Sequence, residues 1–413
     1  MRVWTANDDR QRLPVKLVTP PGRIWIACVG ALLVCGPVMA ADLVLRGGHV
    51  VYRGPELILR GGDFSVTGQL YAVGGDAVRI FHVDSGDRLK QFWPTPLPRP
   101  VEPMRMTLGA FVRTLTDPRR QYITKEVAFS PASQMVIATG GDDGVVRLWH
   151  LPDREPIWSF EGHAGGVSKL AFSPTGKRLA VVSSQHKRKN TLSQLNIWDL
   201  QNGQAIHQDH IYNDESDCVS FLDDQTLLFA LNDDKSRRES AVEFFDLATL
   251  KTVKRIPFGP GSAQSISISK DHERLLISGG ECIPLGPSSC QPTGRIWLAD
   301  IDSDKLAKLM VENAVGYFAP ACWVPGSDRF VVGTRRREGR KTIYEIQMRS
   351  AKDAELVWSV DLNSYPSGLN ASPSGKLIAY GARADRLAAN NYNVFFLSAE
   401  TGQTVKEIKA SEL

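Results

Sequence analysis

Residues 170–200 read LAFSPTGKRLAVVSSQHKRKNTLSQLNIWDL, and the architecture of the chain can be derived from this stretch. A short apolar strand ends at Phe172, a polar turn occupies 173–176, and a second apolar strand follows at 179–182. After a polar connection, a third strand carries Trp198 near its middle. Short apolar runs that are bounded by Gly, Ser or charged residues are typical of strands buried on both faces. The stretch therefore predicts an antiparallel β unit.

The same unit recurs along the whole chain. Its polar turns lie at 65–68, 130–133, 173–176, 222–225, 269–272, 324–327 and 372–375. Each third strand carries one aromatic residue, in chain order Phe81, Trp149, Trp198, Phe244, Trp297, Tyr344 and Phe395. A more polar fourth strand closes the unit, as at 252–258 and 404–408. Recurrence of one supersecondary unit indicates a repeat architecture, and four strands with a polar outermost strand suit a propeller blade.

The predicted fold is therefore all-β. We expect a single seven-bladed β-propeller of four-stranded antiparallel blades over residues 41–413, with a Pro-rich insertion at 93–124 between blades one and two. The ends of the sheet must meet to avoid an exposed edge. Either the apolar stretch from Leu43 to Leu45 adds a strand to the last blade, or residues 404–408 close it. The sequence leaves both open, and eight blades also remain open.

Two units carry sharper motifs than the others. The third unit combines FEGH at 160–163, FSPTG at 172–176 and IWDL at 197–200, and the second combines TGGDDG at 139–144 with RLW at 147–149. These motifs resemble the WD40 repeat, so the chain is similar to a divergent, exported bacterial member of the WD40-repeat β-propeller family. The resemblance implies structural hydrogen-bonding roles for Thr139, Asp142, Trp149, His163, Trp198 and Asp199. No unit has the family's complete set of His, Asp, Ser or Thr, and Trp.

Residues 1–40 differ in character from the rest of the chain. Basic residues precede an apolar run at 24–34, and small residues follow at 38–40, which is typical of a signal peptide that is cleaved between Ala40 and Ala41. We therefore expect a periplasmic or secreted bacterial protein. The alternatives are an uncleaved anchor, or a cytoplasmic protein that starts at Met39.

The net charge of the chain does not favour a nucleic-acid partner. The chain has a formal net charge of +4, and removal of residues 1–40 leaves 44 basic against 43 acidic residues. Any argument from charge must then be local.

Local charge points to one face of the ring. Long connections between second and third strands are expected at 185–194, 232–240, 280–294, 334–341 and 382–393, and these leave the blades on the same face as the links between blades. Two of them are basic. The candidate partner-binding residues are Lys187, Arg188, Lys189, Arg335, Arg336, Arg337, Arg340 and Lys341. Loops on a rigid scaffold often carry binding function. The alternative is that these residues are simply solvated.

The partner predicted from these residues is a protein or another anionic macromolecule. Nucleic acid is not expected, because the basic residues lack interleaved aromatic residues for base stacking. The predicted function is a non-enzymatic protein-interaction scaffold.

Four cysteines remain after residue 40. Cys282 and Cys290 flank a connection whose pairing at the base would bring them together, so the sequence predicts a disulfide in an oxidising compartment. Two free thiols are the alternative. Cys218 and Cys322 are expected to pack as small apolar groups.

Catalytic motifs are missing from the sequence. It contains no G-x-S-x-G elbow, no H-E-x-x-H and no phosphate-binding P-loop. We therefore predict no catalytic residues, no metal and no cofactor. The alternative is a propeller enzyme, either a hydrolase or lactonase or a quinone-type dehydrogenase, with a site at the central channel.

Overall fold

The structure is a computed structural model. It describes residues 43–46, 49–52, 60–92 and 123–409, with gaps at 76, 154, 164, 188–189, 212–217, 232–239, 260, 287–288, 304, 315–320, 339–340 and 384–391. The predicted signal peptide and the Pro-rich insertion up to residue 122 lie outside the described residues. Within the described part of the chain, no helix has the length and apolar character that a membrane span requires.

The chain forms a seven-bladed β-propeller whose blades are four-stranded and antiparallel, as predicted. In each blade the strands follow chain order from the innermost, first strand to the outermost, fourth strand. Blade 1 contains β3 (Arg60–Phe64), β4 (Leu70–Gly74), β5 (Val78–His82) and β6 (Arg88–Phe92). Blade 2 contains β7 (Thr124–Ser130), β8 (Ser133–Gly141), β9 (Val146–His150) and β10 (Trp158–Phe160).

The remaining blades repeat this order. Blade 3 contains β11 (Gly166–Phe172), β12 (Arg178–Lys187), β13 (Asn190–Asp199) and β14 (Ala205–Ile211), and blade 4 contains β15 (Val219–Phe221), β16 (Thr226–Leu231), β17 (Ser240–Asp246) and β18 (Lys251–Gly259). Blade 5 contains β19 (Ser262–Ile268), β20 (Arg274–Gly286), β21 (Ser289–Asp300) and β22 (Lys308–Ala314), and blade 6 contains β23 (Ala321–Trp323), β24 (Arg329–Glu338), β25 (Lys341–Ser350) and β26 (Leu356–Leu362). Blade 7 contains β27 (Ser367–Ala371), β28 (Leu377–Arg383), β29 (Tyr392–Ser398) and β30 (Thr404–Ile408).

The hydrophobic core consists of seven apolar clusters, each between two neighbouring blades. The second and third strands are therefore buried on both faces, which explains their continuous apolar runs. The cluster between blades 7 and 1 joins Phe64, Tyr71 and Phe81 to Val394 and Phe396. Ring closure thus relies on the same kind of interface as every other pair of blades.

Residues 404–408 form the outermost strand of the last blade, because β30 pairs with β29. The N-terminal stretch does not take this place. Residues Leu43–Arg46 (β1) and His49–Tyr52 (β2) pair with each other as a two-stranded hairpin, in a structural unit separate from the propeller. Of the two closures that the sequence left open, the C-terminal one is observed, and the number of blades is seven.

Turns between first and second strands share one face of the ring. Thr67 Oγ1 donates to Gln134 at 2.7 Å between blades 1 and 2, Thr175 Oγ1 donates to Asp224 at 2.9 Å between blades 3 and 4, and Arg274 pairs with Asp328 at 2.6 Å between blades 5 and 6. We call this the turn face. Since antiparallel strands alternate in direction, connections between second and third strands leave on the opposite side, which we call the hairpin face.

Candidate functional site

On the hairpin face, three of the predicted long loops are instead extensions of the blade strands. In blade 3 the pairing of β12 with β13 continues to Lys187 opposite Asn190, and in blade 6 that of β24 with β25 continues to Glu338 opposite Lys341. Blade 5 extends furthest, to Gly286 opposite Ser289. The loop prediction was wrong for these segments, because polar residues in a strand that projects beyond the core have no apolar pattern to reveal them.

The basic candidates lie on two of these extended hairpins. Lys187 is on the blade 3 hairpin, whereas Arg335, Arg336, Arg337 and Lys341 are on the blade 6 hairpin. Blades 3 and 6 are not neighbours in the ring, so the two hairpins form separate positions on one face. Arg188, Lys189 and Arg340 fall outside the described residues. The connections at 232–239 and 384–391 and the link at 212–217 do so as well.

The cysteine pair is offset in the blade 5 hairpin. Cys282 lies opposite Pro292, and Cys290 lies opposite Pro284, so the two cysteines are diagonal rather than directly paired. Diagonal positions in an antiparallel pair are about 7–8 Å apart, longer than the Cα separation that most disulfides need. The predicted disulfide is therefore not supported. Cys218 is buried and Cys322 half-buried, and both are free thiols.

The motif residues of blade 2 form part of the expected hydrogen-bond set. Trp149 Nε1 donates to Thr139 Oγ1 at 2.9 Å, and both residues are buried. The carboxylate of Asp142, the turn residue of this motif, pairs with Lys125 at 2.7 Å. Asp143, the neighbouring residue, accepts from Arg147 at 2.7 Å.

The motif residues of blade 3 are connected differently. His163 Nδ1 lies 2.9 Å from the carbonyl oxygen of Gly144, in the turn of blade 2, so this histidine ties two blades together. Its ring lies 6.0 Å from that of Trp198. Trp198 Nε1 is buried and has no hydrogen-bond partner among the residues that the structure describes. Asp199 shapes the following turn, where its carboxylate accepts from the backbone N–H of Gln201 at 2.7 Å.

The innermost strands of three neighbouring blades carry a charged cluster that the sequence did not predict. Its members are Asp63 on β3, Glu126 on β7 and Lys169 on β11, the innermost strands of blades 1, 2 and 3. Lys169 Nζ forms an ion pair with Glu126 Oε1, and Asp63 Oδ2 accepts the backbone N–H of Phe129 at 2.8 Å. The side chain of Lys169 retains 34% of its accessible surface, so the cluster lines a space that solvent can reach.

Burial and mutual charge set the protonation of this cluster. Burial raises the pKa of Asp63 to about 7, opposed by the N–H of Phe129 and reinforced by the negative charge of Glu126. Burial alone would lower the pKa of Lys169, but the adjacent Glu126 carboxylate outweighs it and raises the pKa. At neutral pH the cluster therefore contains a charged Lys–Glu pair and a carboxyl group that can hold a proton.

Hydrogen bonds between innermost strands recur at equivalent positions around the channel. As Asp63 accepts from Phe129, Ser267 Oγ of blade 5 accepts the backbone N–H of Trp323 at 3.1 Å, and Cys322 of blade 6 accepts that of Ala371. Each acceptor lies two residues before the polar turn that follows the first strand. The position two residues before each turn is the feature of the sequence that could have identified these acceptors. Their main role is to join blades, because each contacts the backbone of the next one.

No metal centre is evident in the described part of the chain. No three His, Cys, Asp or Glu side chains there come together in a way that could hold a metal ion. Two open surface depressions lie on the turn face, one between blades 5 and 6 and one between blades 1 and 2. In the first, of about 440 Å³, Arg274 already stacks on Trp323 at 4.9 Å and pairs with Asp328.

The fold and these contacts define the class of protein: a closed seven-bladed β-propeller that presents strand hairpins on one face. Comparison with known families matches the WD domain, G-beta repeat to residues 109–150 and 154–188. The two matched segments include the motif residues Thr139, Trp149 and His163.

Similarity to individual proteins is partial. The chain is 38% identical to the guanine nucleotide-exchange factor SEC12 of Rattus norvegicus over 66 residues, which are 16% of each chain. It is 24% identical to protein HIR1 of Kluyveromyces lactis over 267 residues, covering 60% of this chain and 26% of that protein. It is 29% identical to Polycomb protein EED of Chaetomium thermophilum over 128 residues, covering 26% and 21%. The chain thus spans about a quarter or less of the length of these relatives.

Proposed function

We propose that this protein is a non-enzymatic interaction scaffold of the WD40 type that binds an anionic protein or other anionic macromolecule through its hairpin face. The observation that carries the proposal is the placement of both basic hairpins on one face of a rigid ring. The match to the WD domain, G-beta repeat and the broad similarity to proteins of this type support a role in protein interaction.

Charge and geometry support an anionic partner. Within residues 334–341 there are five basic residues against Glu338, on a chain whose residues 41–413 are close to neutral. Such a local excess attracts an anionic surface and raises its rate of association, and salt screens this effect. Because blades 3 and 6 are not neighbours, a partner that contacts both hairpins must extend across the ring. A large macromolecule fits this requirement better than a small ligand.

Titration with a fluorescent poly-glutamate peptide tests the proposal. We expect R335Q/R336Q/R337Q to weaken binding at least about tenfold at 50 mM salt, and by much less at 300 mM, since salt screens exposed charges. The matched control is K177Q/K270Q/K376Q, which removes three exposed lysines from the turn face and should leave binding unchanged. Equal loss in both variants would mean that only net charge matters, and it would contradict the proposed face.

Export is a separate part of the proposal. The composition of residues 1–40 supports a cleaved signal peptide and a periplasmic or secreted location. Intact-mass measurement of protein purified from a bacterial periplasmic extract should give a chain that begins at Ala41. A chain that retains residues 1–40, or that is found only in the cytoplasm, would contradict export without affecting the binding proposal.

Catalysis at the channel is the second candidate function. The observation that favours it is the cluster of Asp63, Glu126 and Lys169, in which one carboxyl group can exchange a proton near neutral pH. Turnover of lactone and aryl ester substrates that is abolished by Glu126→Gln, in a variant whose thermal unfolding matches that of the wild type, would support this candidate. Turnover that survives the substitution would assign the cluster to blade packing alone.

A further inference from the structure

Among the described residues, buried polar atoms without partners concentrate between blades 2 and 3. They are His163 Nε2, Ser183 Oγ, Trp198 Nε1 and both side-chain amide atoms of Asn196. Ser183 and Asn196 are fully buried, and Trp198 is 9% exposed. An unsatisfied buried polar group is destabilising, so five such atoms at one interface require a hydrogen-bond partner.

These side chains belong to one face of blade 3. Asn196 lies opposite Val181, and Trp198 lies opposite Leu179, in an uninterrupted register of β12 with β13. Leu179, Val181 and Trp198 all pack in the cluster between blades 2 and 3. Since side chains alternate between faces along a strand, Asn196 and Ser183 face the same interface. We call these four residues, His163, Ser183, Asn196 and Trp198, the interblade polar site.

His163 is the member of the site that comes from the link between blades 2 and 3. Ser183 pairs with Val167, four residues after His163, which places the histidine at the same end of the blade. The Gly144 carbonyl can only accept, so His163 Nδ1 carries the hydrogen and donates it. Burial lowers the pKa of His163, despite the bond to Gly144, which keeps the ring neutral and leaves Nε2 as an acceptor.

Comparison with blade 2 shows why the indole N–H of Trp198 has no hydrogen-bond acceptor from the protein. There Trp149 lies opposite Ile137, and Thr139, two residues further on, accepts from the indole. In blade 3 the position equivalent to Thr139 is Val181, two residues after Leu179. Valine has no acceptor, so Trp198 must find one elsewhere. The site also contains no charged side chain, and its polar atoms have almost no accessible surface.

We propose that the interblade polar site is a binding site for internal water, in which one or more water molecules accept from Trp198 Nε1 and donate to His163 Nε2 while bonding to Asn196 and Ser183. The mixture of donors and acceptors suits water, which supplies both and typically makes about three such bonds in protein interiors. A metal ion does not fit, because the indole and amide N–H groups are donors. A larger solute does not fit, because the polar atoms are enclosed.

The direction of a stability change distinguishes a hydrated site from a dry one. Asn196→Leu replaces the two polar atoms by two methyl groups on the same branched skeleton. In a dry site the substitution relieves unsatisfied groups and lowers the unfolding equilibrium constant. In a hydrated site it removes satisfied hydrogen bonds and excludes water, so we expect the unfolding constant to rise at least about tenfold. Asn393→Leu is the matched control. Buried Asn393 donates a hydrogen bond to Glu407, and the loss of this bond should be destabilising whether the interblade polar site is dry or hydrated.

Poor packing of the leucine introduced by Asn196→Leu could also destabilise the protein, so a direct measurement accompanies the variant. In protein labelled with 15N-tryptophan, the indole N–H of Trp198, assigned by its loss in Trp198→Phe, should show a nuclear Overhauser effect to long-lived water. The indole of Trp149, bonded to Thr139, should not. Stabilisation by Asn196→Leu, or no water contact at the Trp198 indole, would overturn the proposal.

Discussion

At the residue scale, a single side chain determines whether the indole of a buried tryptophan has a hydrogen-bond acceptor within the protein. Thr139 in blade 2 and Val181 in blade 3 occupy equivalent positions and differ only in a hydroxyl group in place of a methyl group. The indole of Trp149 is therefore bonded directly, whereas that of Trp198 is not. The sequence showed both tryptophans and Thr139, but the role of Val181 required the register of the strands.

Thr139→Val and Val181→Thr, made separately, should have unequal effects on the free energy of unfolding. Thr139→Val leaves the Trp149 indole buried without an acceptor, so we expect a loss of about 1–3 kcal/mol in the free energy of unfolding. Val181→Thr supplies an acceptor to Trp198, so its cost should be smaller than that of Thr139→Val. Urea denaturation of the two variants and the wild type measures the difference. Equal losses would show that Val181 does not occupy the position inferred for it.

Asp63 should make stability depend on pH. Its pKa is raised from the ordinary value of 3.8 to about 7 in the folded protein, so the folded state binds more protons than the unfolded state between these values. The contribution of Asp63 to the free energy of unfolding is fully present below pH 4. It is lost as the pH rises to 7, by at most about 1.4 kcal/mol per pH unit. Asp63→Asn retains an acceptor for the Phe129 N–H and should flatten this dependence.

Thermal unfolding between pH 5 and 8 tests this expectation. The wild type should lose stability relative to Asp63→Asn as pH rises. Asp87→Asn, in an exposed turn of the same blade, is the control and should follow the wild type. A constant difference between Asp63→Asn and the wild type at all pH values would contradict the raised pKa.

At the scale of the element, the fourth strand of one blade holds the turn of the next. Equivalent positions on four outermost strands carry Lys90, Trp158, Trp358 and Lys406, each opposite a buried residue of the third strand. Trp358 Nε1 donates to the Ala399 carbonyl at 3.0 Å, and Lys406 Nζ donates to that of Val83 at 3.2 Å. These contacts explain why long side chains occur at this position in strands that are otherwise solvent-exposed.

The Trp158 contact requires a glycine in the neighbouring turn. Gly203 has a φ of +72°, and a Cβ atom at this position would lie 2.5 Å from the Trp158 ring. Gly203→Ala should therefore be destabilising both through the backbone and through displacement of the ring. Gly326→Ala isolates the backbone effect, since Gly326 has a φ of +77° and open space around it. We expect the alanine at 203 to cost more by about 1–3 kcal/mol in chemical denaturation, the usual cost of overpacking.

Equal costs at the two glycines would indicate that the tryptophan moves freely and does not hold the turn. The same pair can be measured in a Trp158→Ala background. There the excess cost at Gly203 should disappear, because the ring that causes the clash is gone.

At the scale of the whole molecule, closure of the ring is an interaction between residues about 300 positions apart. Asn370 Nδ2 donates to the Gly62 carbonyl, and Tyr71 Oη donates to that of Gly368 at 3.2 Å. The ring of Phe396 lies 5.4 Å from that of Tyr71 and 6.1 Å from that of Phe64. Closure buries the apolar faces that blades 1 and 7 would otherwise expose to water.

Phe396→Ala should weaken this closure. The side chain is 1% exposed, so its removal should cost about 3–5 kcal/mol in the free energy of unfolding. Amide hydrogen exchange should accelerate first in blades 1 and 7. Phe395→Ala, on the same strand but facing blade 6, is the control and should spare blade 1. Uniform acceleration in all blades would contradict a local opening at this interface.

The repeat and the strand pattern could be predicted from the order of the residues, and seven was the expected number of blades, although eight remained open until the structure showed how the ring closes. Burial of the second and third strands on both faces imposes apolar runs such as 179–182, and a local pattern of this kind is visible without coordinates. The motif residues Thr139 and Trp149 were also identified, because they lie within one blade.

The contacts between blades became visible only in the folded chain. Asp63 and Phe129 are 66 residues apart, and periodicity within a strand contains no information about the blade that packs against it. The paired hairpins at 185–194 and 334–341 escaped prediction for a related reason. Their strands are held by backbone hydrogen bonds beyond the core, and such bonds require no apolar side chains.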